Sequence, residues 1–135
     1  MAFHLHERLA ADTYTVQDLA LCRVLLMNDS RFPWTILVPR RTGLRDFHEV
    51  ARADKPTFHA ELDLVSDVLK RLSGAHKMNV AALGNMVPQL HVHVIARFEG
   101  DAAWPKPVWG QGETVPYEPA RAGELIESLR KDLRG

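Results

Sequence analysis

At 135 residues, 46% apolar and 25% charged, the chain has the size and composition of one ordinary globular domain spanning residues 1–135, long enough to bury about two-thirds of its unfolded surface. Lys plus Arg number 17 and Asp plus Glu number 17; this balance argues against a nucleic-acid binder, which needs a positive field, but leaves room for a local phosphate site built from a few aimed donors. The lone Cys22 excludes a disulfide framework within one chain. With no basic-then-apolar leader and no apolar stretch of bilayer length, no membrane association is expected, and the expected compartment is the reducing cytoplasm.

In chain order, residues 3 to 12 read as a short helix or a loosely ordered start. Asp18 to Met27 is a Leu-rich run, followed by the turn cluster Asn28-Asp29-Ser30 and by Trp34 to Val38 between two prolines. Apolar run, polar turn, apolar run predicts two strands of a hairpin. Asp54-Lys55-Pro56 supplies a capping acid and an early proline. Phe58, Leu62, Val65, Leu69 and Leu72 then recur at spacings of three and four, the stripe of an amphipathic helix that Gly74 ends. Met78 to Leu83 reads as a third strand, 84–88 as a turn and Leu90 to Phe98 as a fourth strand. Ala103 to Pro116, with Trp104 and Trp109, reads as an extended loop, and Pro119 opens a last helix. Short turns make the strand pairs antiparallel, so the expected class is α+β, one sheet with its helices on one face.

The fourth strand carries the chemistry. Leu90, Val92, Val94, Ala96 and Phe98 alternate with His91, His93, Ile95 and Arg97. Strict alternation puts one set in the core and the two imidazoles side by side on the opposite face, roughly 7 Å apart along the strand. Three readings are open. The pair decorates a solvated face; it is part of a metal site, completed by His4 and His6, although zinc requires three or four ligands; or it performs phosphate chemistry, one neutral imidazole attacking phosphorus while the other donates to a phosphate oxygen.

Gln89-Leu-His91-Val-His93-Val-Ile95 resembles the signature of the histidine triad (HIT) superfamily, in which three histidines alternate with apolar residues, and departs from it at Gln89. The similarity extends over residues 18 to 100. It includes the strand ending in Asn28-Asp29, the strand from Trp34 to Arg40, the turn Asp46 to Glu49 and the helix that follows. The resemblance implies a HIT-like α+β fold: an antiparallel sheet of about five strands, a central amphipathic helix and a C-terminal helix. It implies a nucleotide substrate held by its α-phosphate, a homodimer whose sheets join, and no metal or other cofactor. His91 takes the nucleophile's place and His93 that of the phosphate donor. At Gln89 the backbone carbonyl can still fix the nucleophile's tautomer, while the side chain keeps a donor and an acceptor but no titratable proton.

The resemblance also places Asn28 and Asp29 near the ribose, although Asn-Asp equally makes a turn, and Asn85 at the nucleotide or phosphate. Leu26, Phe32 and Ile36 are candidates for a base pocket or for the core. Trp104 and Trp109 are expected to pack structurally rather than cover the site. Arg97 reads as a phosphate contact or a surface charge. The expected activity is hydrolysis of a dinucleoside polyphosphate or nucleoside phosphoramidate through a nucleotidyl-histidine; the alternatives are a nucleotidyltransferase, a non-catalytic nucleotide binder and a metal-binding protein.

Overall fold

The computed structural model describes residues 2–134, with strands β1 (Thr13–Asp18), β2 (Cys22–Met27), β3 (Trp34–Pro39), β4 (Lys77–Ala81) and β5 (Val92–Arg97). They form one sheet in the order β1-β2-β3-β5-β4, every pair antiparallel. Among the described residues three α-helices accompany it: α1 (Glu7–Asp12), α2 (Lys55–Ser73) and α3 (Pro119–Arg134), with two 3-10 turns, Phe47–Glu49 and Arg52–Asp54, ahead of α2. This is the expected five-stranded α+β fold. Among the described residues no helix is long and apolar enough to cross a membrane.

β4 and β5 are shorter at one or both ends than their sequence reading, which leaves Leu83 and His91 outside them, and the first two strands differ more. Thr13–Asp18, unassigned above, is β1, and the run from Asp18 is divided by a turn before β2 begins at Cys22. Leu19 donates its N–H to the Cys22 carbonyl at 2.8 Å, closing that turn. A carboxylate from the middle of α2 secures it: Glu61, 6% exposed, accepts the N–H groups of Leu21 and Cys22 at 2.9 and 2.7 Å. A buried carboxylate so paired anchors the helix to the hairpin.

Helix α2 begins and ends where its sequence places it, with Gly74 at φ 71° in the left-handed region. Its start is capped differently from the expectation. Asp54 occupies the N-cap position, but its carboxylate takes the Arg41 guanidinium at 2.9 and 3.1 Å and bonds no helix N–H. Phe58, Leu62, Val65 and Leu69 meet Val24, Leu37, Val92 and Val94 of the sheet and Leu129 of α3, forming the larger core.

The opposite face of the sheet is covered as well. Leu25, Trp34, Ile36, Val38 and Ile95 pack there against Leu9 of α1, Phe32, Val87, Ala103 and Val108. Strands β3 and β5 are consequently buried at every position. The histidine face is therefore not a solvated surface; it is the wall of a second, smaller core.

Candidate active site

His91 precedes β5 and His93 lies within it; they are 7% and 4% exposed, and their ring centres stand 4.9 Å apart. With Leu83, Asn85, Met86, Val87 and Trp109 they line a cavity of about 330 Å³. The rings are thus held by protein on most sides yet face an opening, a setting that orients a reactive group without sealing it.

Each ring has one nitrogen tied to protein. His91 Nδ1 lies 2.7 Å from the Gln89 carbonyl. A carbonyl only accepts, so in the neutral ring the proton sits on Nδ1 and the lone pair on Nε2. His93 Nδ1 lies 3.0 Å from the indole Nε1 of Trp34. The contact arises from register: Trp34 pairs with Ile95, which makes His93 its diagonal neighbour across β3 and β5.

Burial, reinforced by the adjacent His91, drives the His93 imidazole from 6.5 down to about 3. Above pH 6.5 neither folded nor unfolded chain protonates this ring, and its burial has no pH-dependent cost. Below it the unfolded chain takes up a proton that the folded chain refuses until about pH 3. Stability should fall across that window by up to ~1.4 kcal/mol per pH unit. Melting temperatures from pH 7.5 to 4 should therefore drop more steeply for the native protein than for His93→Gln; parallel profiles would refute the desolvation of this ring.

Gln89 does more than offer its carbonyl. Its side-chain oxygen accepts the His6 N–H at 2.8 Å, and its amide donates to the His4 carbonyl at 2.9 Å. The N-terminal segment is stapled by this one side chain. His4 and His6 reach Gln89 through their backbone, and His6 Nδ1 caps α1 by accepting the Arg8 N–H. Among the described residues no group of three or more His, Cys, Asp and Glu side chains is arranged to hold a metal ion.

The remaining sequence candidates divide. Asn85 lines the histidine cavity. Asn28 and Asp29 line a neighbouring one of about 370 Å³, with Trp34 in its wall. Their side chains are already engaged: the Asn28 oxygen accepts the Tyr117 N–H at 2.9 Å, and Asp29 takes Arg31 through its guanidinium and its N–H. Burial alone would raise the Asp29 carboxyl, but Arg31 and the Val115 N–H hold it below the usual carboxylate range. Leu26, Phe32 and Ile36 are fully buried in the two cores and line neither cavity.

Trp109 corrects its sequence reading. Its ring stands edge-on to His93 at 4.9 Å and to Trp34 at 5.9 Å, forming part of the cavity wall. Trp104 packs, as expected of a structural aromatic, beside His76 and over Arg97. Arg97 is neither a phosphate contact nor a surface charge. It is 1% exposed, paired with Asp101 at 2.8 and 3.0 Å, and bonded to Asn79 and to the Lys106 carbonyl. Alternation put Arg97 on the correct face; the cover that buries it has no periodicity to read.

Residues 8–100 match the HIT domain family. A histidine triad protein from Marinobacter aquaeolei is similar in structure, with 48% identity, a TM-score of 0.96 and coverage of 99% of this chain and 98% of that one. One from Sinorhizobium meliloti shares 44% identity, with a TM-score of 0.94 and 96% of each chain covered. Another from Bradyrhizobium japonicum shares 41% identity, with a TM-score of 0.96 over 98% of this chain and 99% of that one. Among curated proteins none matches this chain.

Proposed function

We propose that this chain, which belongs to the histidine triad (HIT) family, is a nucleotide hydrolase that attacks the α-phosphate of a dinucleoside polyphosphate or nucleoside phosphoramidate through His91. The observation carrying the proposal is the bond from His91 Nδ1 to the Gln89 carbonyl, which leaves Nε2 as the basic nitrogen at the cavity. Gln89 takes the place of the triad's first histidine and does its positioning through a backbone atom that any residue supplies.

In the first step Nε2 of His91 forms a bond to the α-phosphorus. The bond from phosphorus to the leaving group breaks, and the leaving group departs with the electron pair. A nucleotide phosphate leaves as an anion; an amine leaves only with a proton. Negative charge on the equatorial oxygens meets His93, and Asn85 lines the same opening. In the second step water adds to phosphorus and loses a proton, the P–N electron pair returns to Nε2, and a nucleoside monophosphate is released. Room for the rest of a long substrate lies alongside: a cavity of about 470 Å³, lined by His6, Arg8 and Ala11, shares Met86 and Val87 with the histidine cavity. Asn28 and Asp29 act in this reading as the frame of the wall beyond Trp34.

Acid-free quenching shortly after mixing with a dinucleoside polyphosphate tests the reaction. Mass spectrometry should find one nucleoside monophosphate, less water, on the peptide containing His91. A chain that turns over substrate without this adduct would sink the mechanism, and one that binds without turnover would be a binder.

A homodimer joined along β4 belongs to the same proposal. β4 is an edge strand, and Val80, Leu83 and Met86 on or just after it are exposed, a combination that invites pairing with a second sheet. Sedimentation should return twice the chain mass of 15.2 kDa; a monomer at micromolar concentration would remove this part.

A further inference from the structure

The two imidazoles are backed by groups of opposite character. Behind His91 stands the Gln89 carbonyl, which only accepts. Behind His93 stands the Trp34 indole N–H, which only donates. An indole N–H at 3.0 Å from Nδ1 requires a lone pair on that nitrogen. The proton of a neutral His93 must then lie on Nε2.

We propose that Trp34 is a positioning residue, holding His93 as the neutral imidazole protonated on Nε2, so that the pair presents one bare nitrogen and one N–H side by side. The proposal rests on the hydrolase reading for its catalytic consequence, but the tautomer itself does not depend on it. Three further features favour it. Trp34 is 6% exposed and packed edge-on against Phe32 and Trp109, so its indole has a fixed direction. The ring it directs is itself buried, and burial disfavours the imidazolium that would otherwise erase the distinction between the two nitrogens. Protonating Nδ1 would also set two N–H groups against each other across the same contact.

The consequence is chemical. A His93 so held is a fixed hydrogen-bond donor to phosphate oxygen, not a cationic acid that gives up a proton and regains it. Leaving groups that depart as stable anions, such as nucleotide phosphates, suit this arrangement. Amines, which must be protonated to leave, gain little from it. Of the two substrate classes proposed above, the structure thus favours the dinucleoside polyphosphate.

Nitrogen NMR of histidine-labelled protein at neutral pH reads the tautomer directly. In the native chain, His93 should show a pyrrole-type Nε2 and a pyridine-type Nδ1; a proton on Nδ1, or an imidazolium, overturns the proposal whatever any variant does. In Trp34→Phe, which keeps an aromatic ring but lacks the N–H, the two tautomers should mix. kcat for a dinucleoside polyphosphate should fall about ten- to a hundredfold, part of the ~10²–10³ a preorganised hydrogen-bond donor supplies, with KM changed about twofold or less. Replacing Trp34 by its benzothienyl isostere, with sulfur for the N–H, should repeat both effects with the packing preserved. A variant that loses kcat while His93 keeps the native tautomer shows that Trp34 acts through packing alone and refutes the inference. Absence of a His91 adduct in the native protein, with the tautomer as stated, refutes the hydrolase reading and leaves the assignment of Trp34 intact.

Discussion

Turnover should collapse by about 10⁴-fold or more when His91 becomes Asn, the scale on which loss of an attacking group outweighs other contributions. Asn is chosen because its side-chain amide can still donate to the Gln89 carbonyl that now receives His91 Nδ1. The wall of the cavity should therefore stay in place, and calorimetric binding of a non-hydrolysable dinucleotide should survive within a few-fold. His93→Gln should be milder, about 10²–10³-fold, since it removes a donor to the transition state rather than the nucleophile. The ordering is the diagnostic. Were His91→Asn to retain turnover within tenfold of native, or His93→Gln to be the more damaging change, the roles assigned to the pair would be wrong.

The second large effect concerns stability. Replacing Arg97 by Met should cost about 3–5 kcal/mol, because one buried partner is removed and the other is left charged. For a chain of this length that is a fall of roughly 10–20 °C in melting temperature. Arg97 ties four segments: Asp101 in the following turn, Asn79 on β4, the Lys106 carbonyl in the loop beyond, and the rings of Phe32 and Trp104. Asp101 shows how strongly the arrangement prefers the charged state. Burial alone would raise its carboxyl, yet Arg97 and the N–H groups of Phe98, Ala103 and Trp104 hold it far below the usual carboxylate range. Asp101→Asn, which keeps an oxygen for those N–H groups, should cost less than Arg97→Met; the reverse order in urea denaturation would contradict this account. Activity should follow stability in Arg97→Met, since the loop it anchors leads to Trp109 in the wall of the histidine cavity.

How much of this was legible beforehand depends on periodicity. Helix α2 announces itself through Phe58, Leu62, Val65 and Leu69, and β5 through alternation, because both bury one regular face against the larger core. β1 is hard to read although Tyr14 and Val16 alternate within it: a single fully buried residue, Val16, is a weak signal beside the Leu-rich run that follows. That run reads as continuous because Leu19 and Leu21 are apolar even though they lie in the turn between β1 and β2. The second core was unreadable for a different reason. Its cover comes from α1 and an irregular loop, whose contacts follow from tertiary packing and not from any repeat. The fates of Arg97, Phe32 and Trp109 were hidden with it. The histidine pair is legible as a candidate site because two imidazoles share one face of a strongly alternating run; the indole behind His93 depends on cross-strand register, which sequence spacing does not express.

The amide of Gln89 fastens the amino-terminal stretch through His4 and His6, and its own carbonyl backs the His91 ring. Any polypeptide appended ahead of His4 is thereby tethered within two residues of His91. Affinity handles, fluorophores and fusion partners belong at the other extremity of the chain, beyond α3, where they pull on neither imidazole.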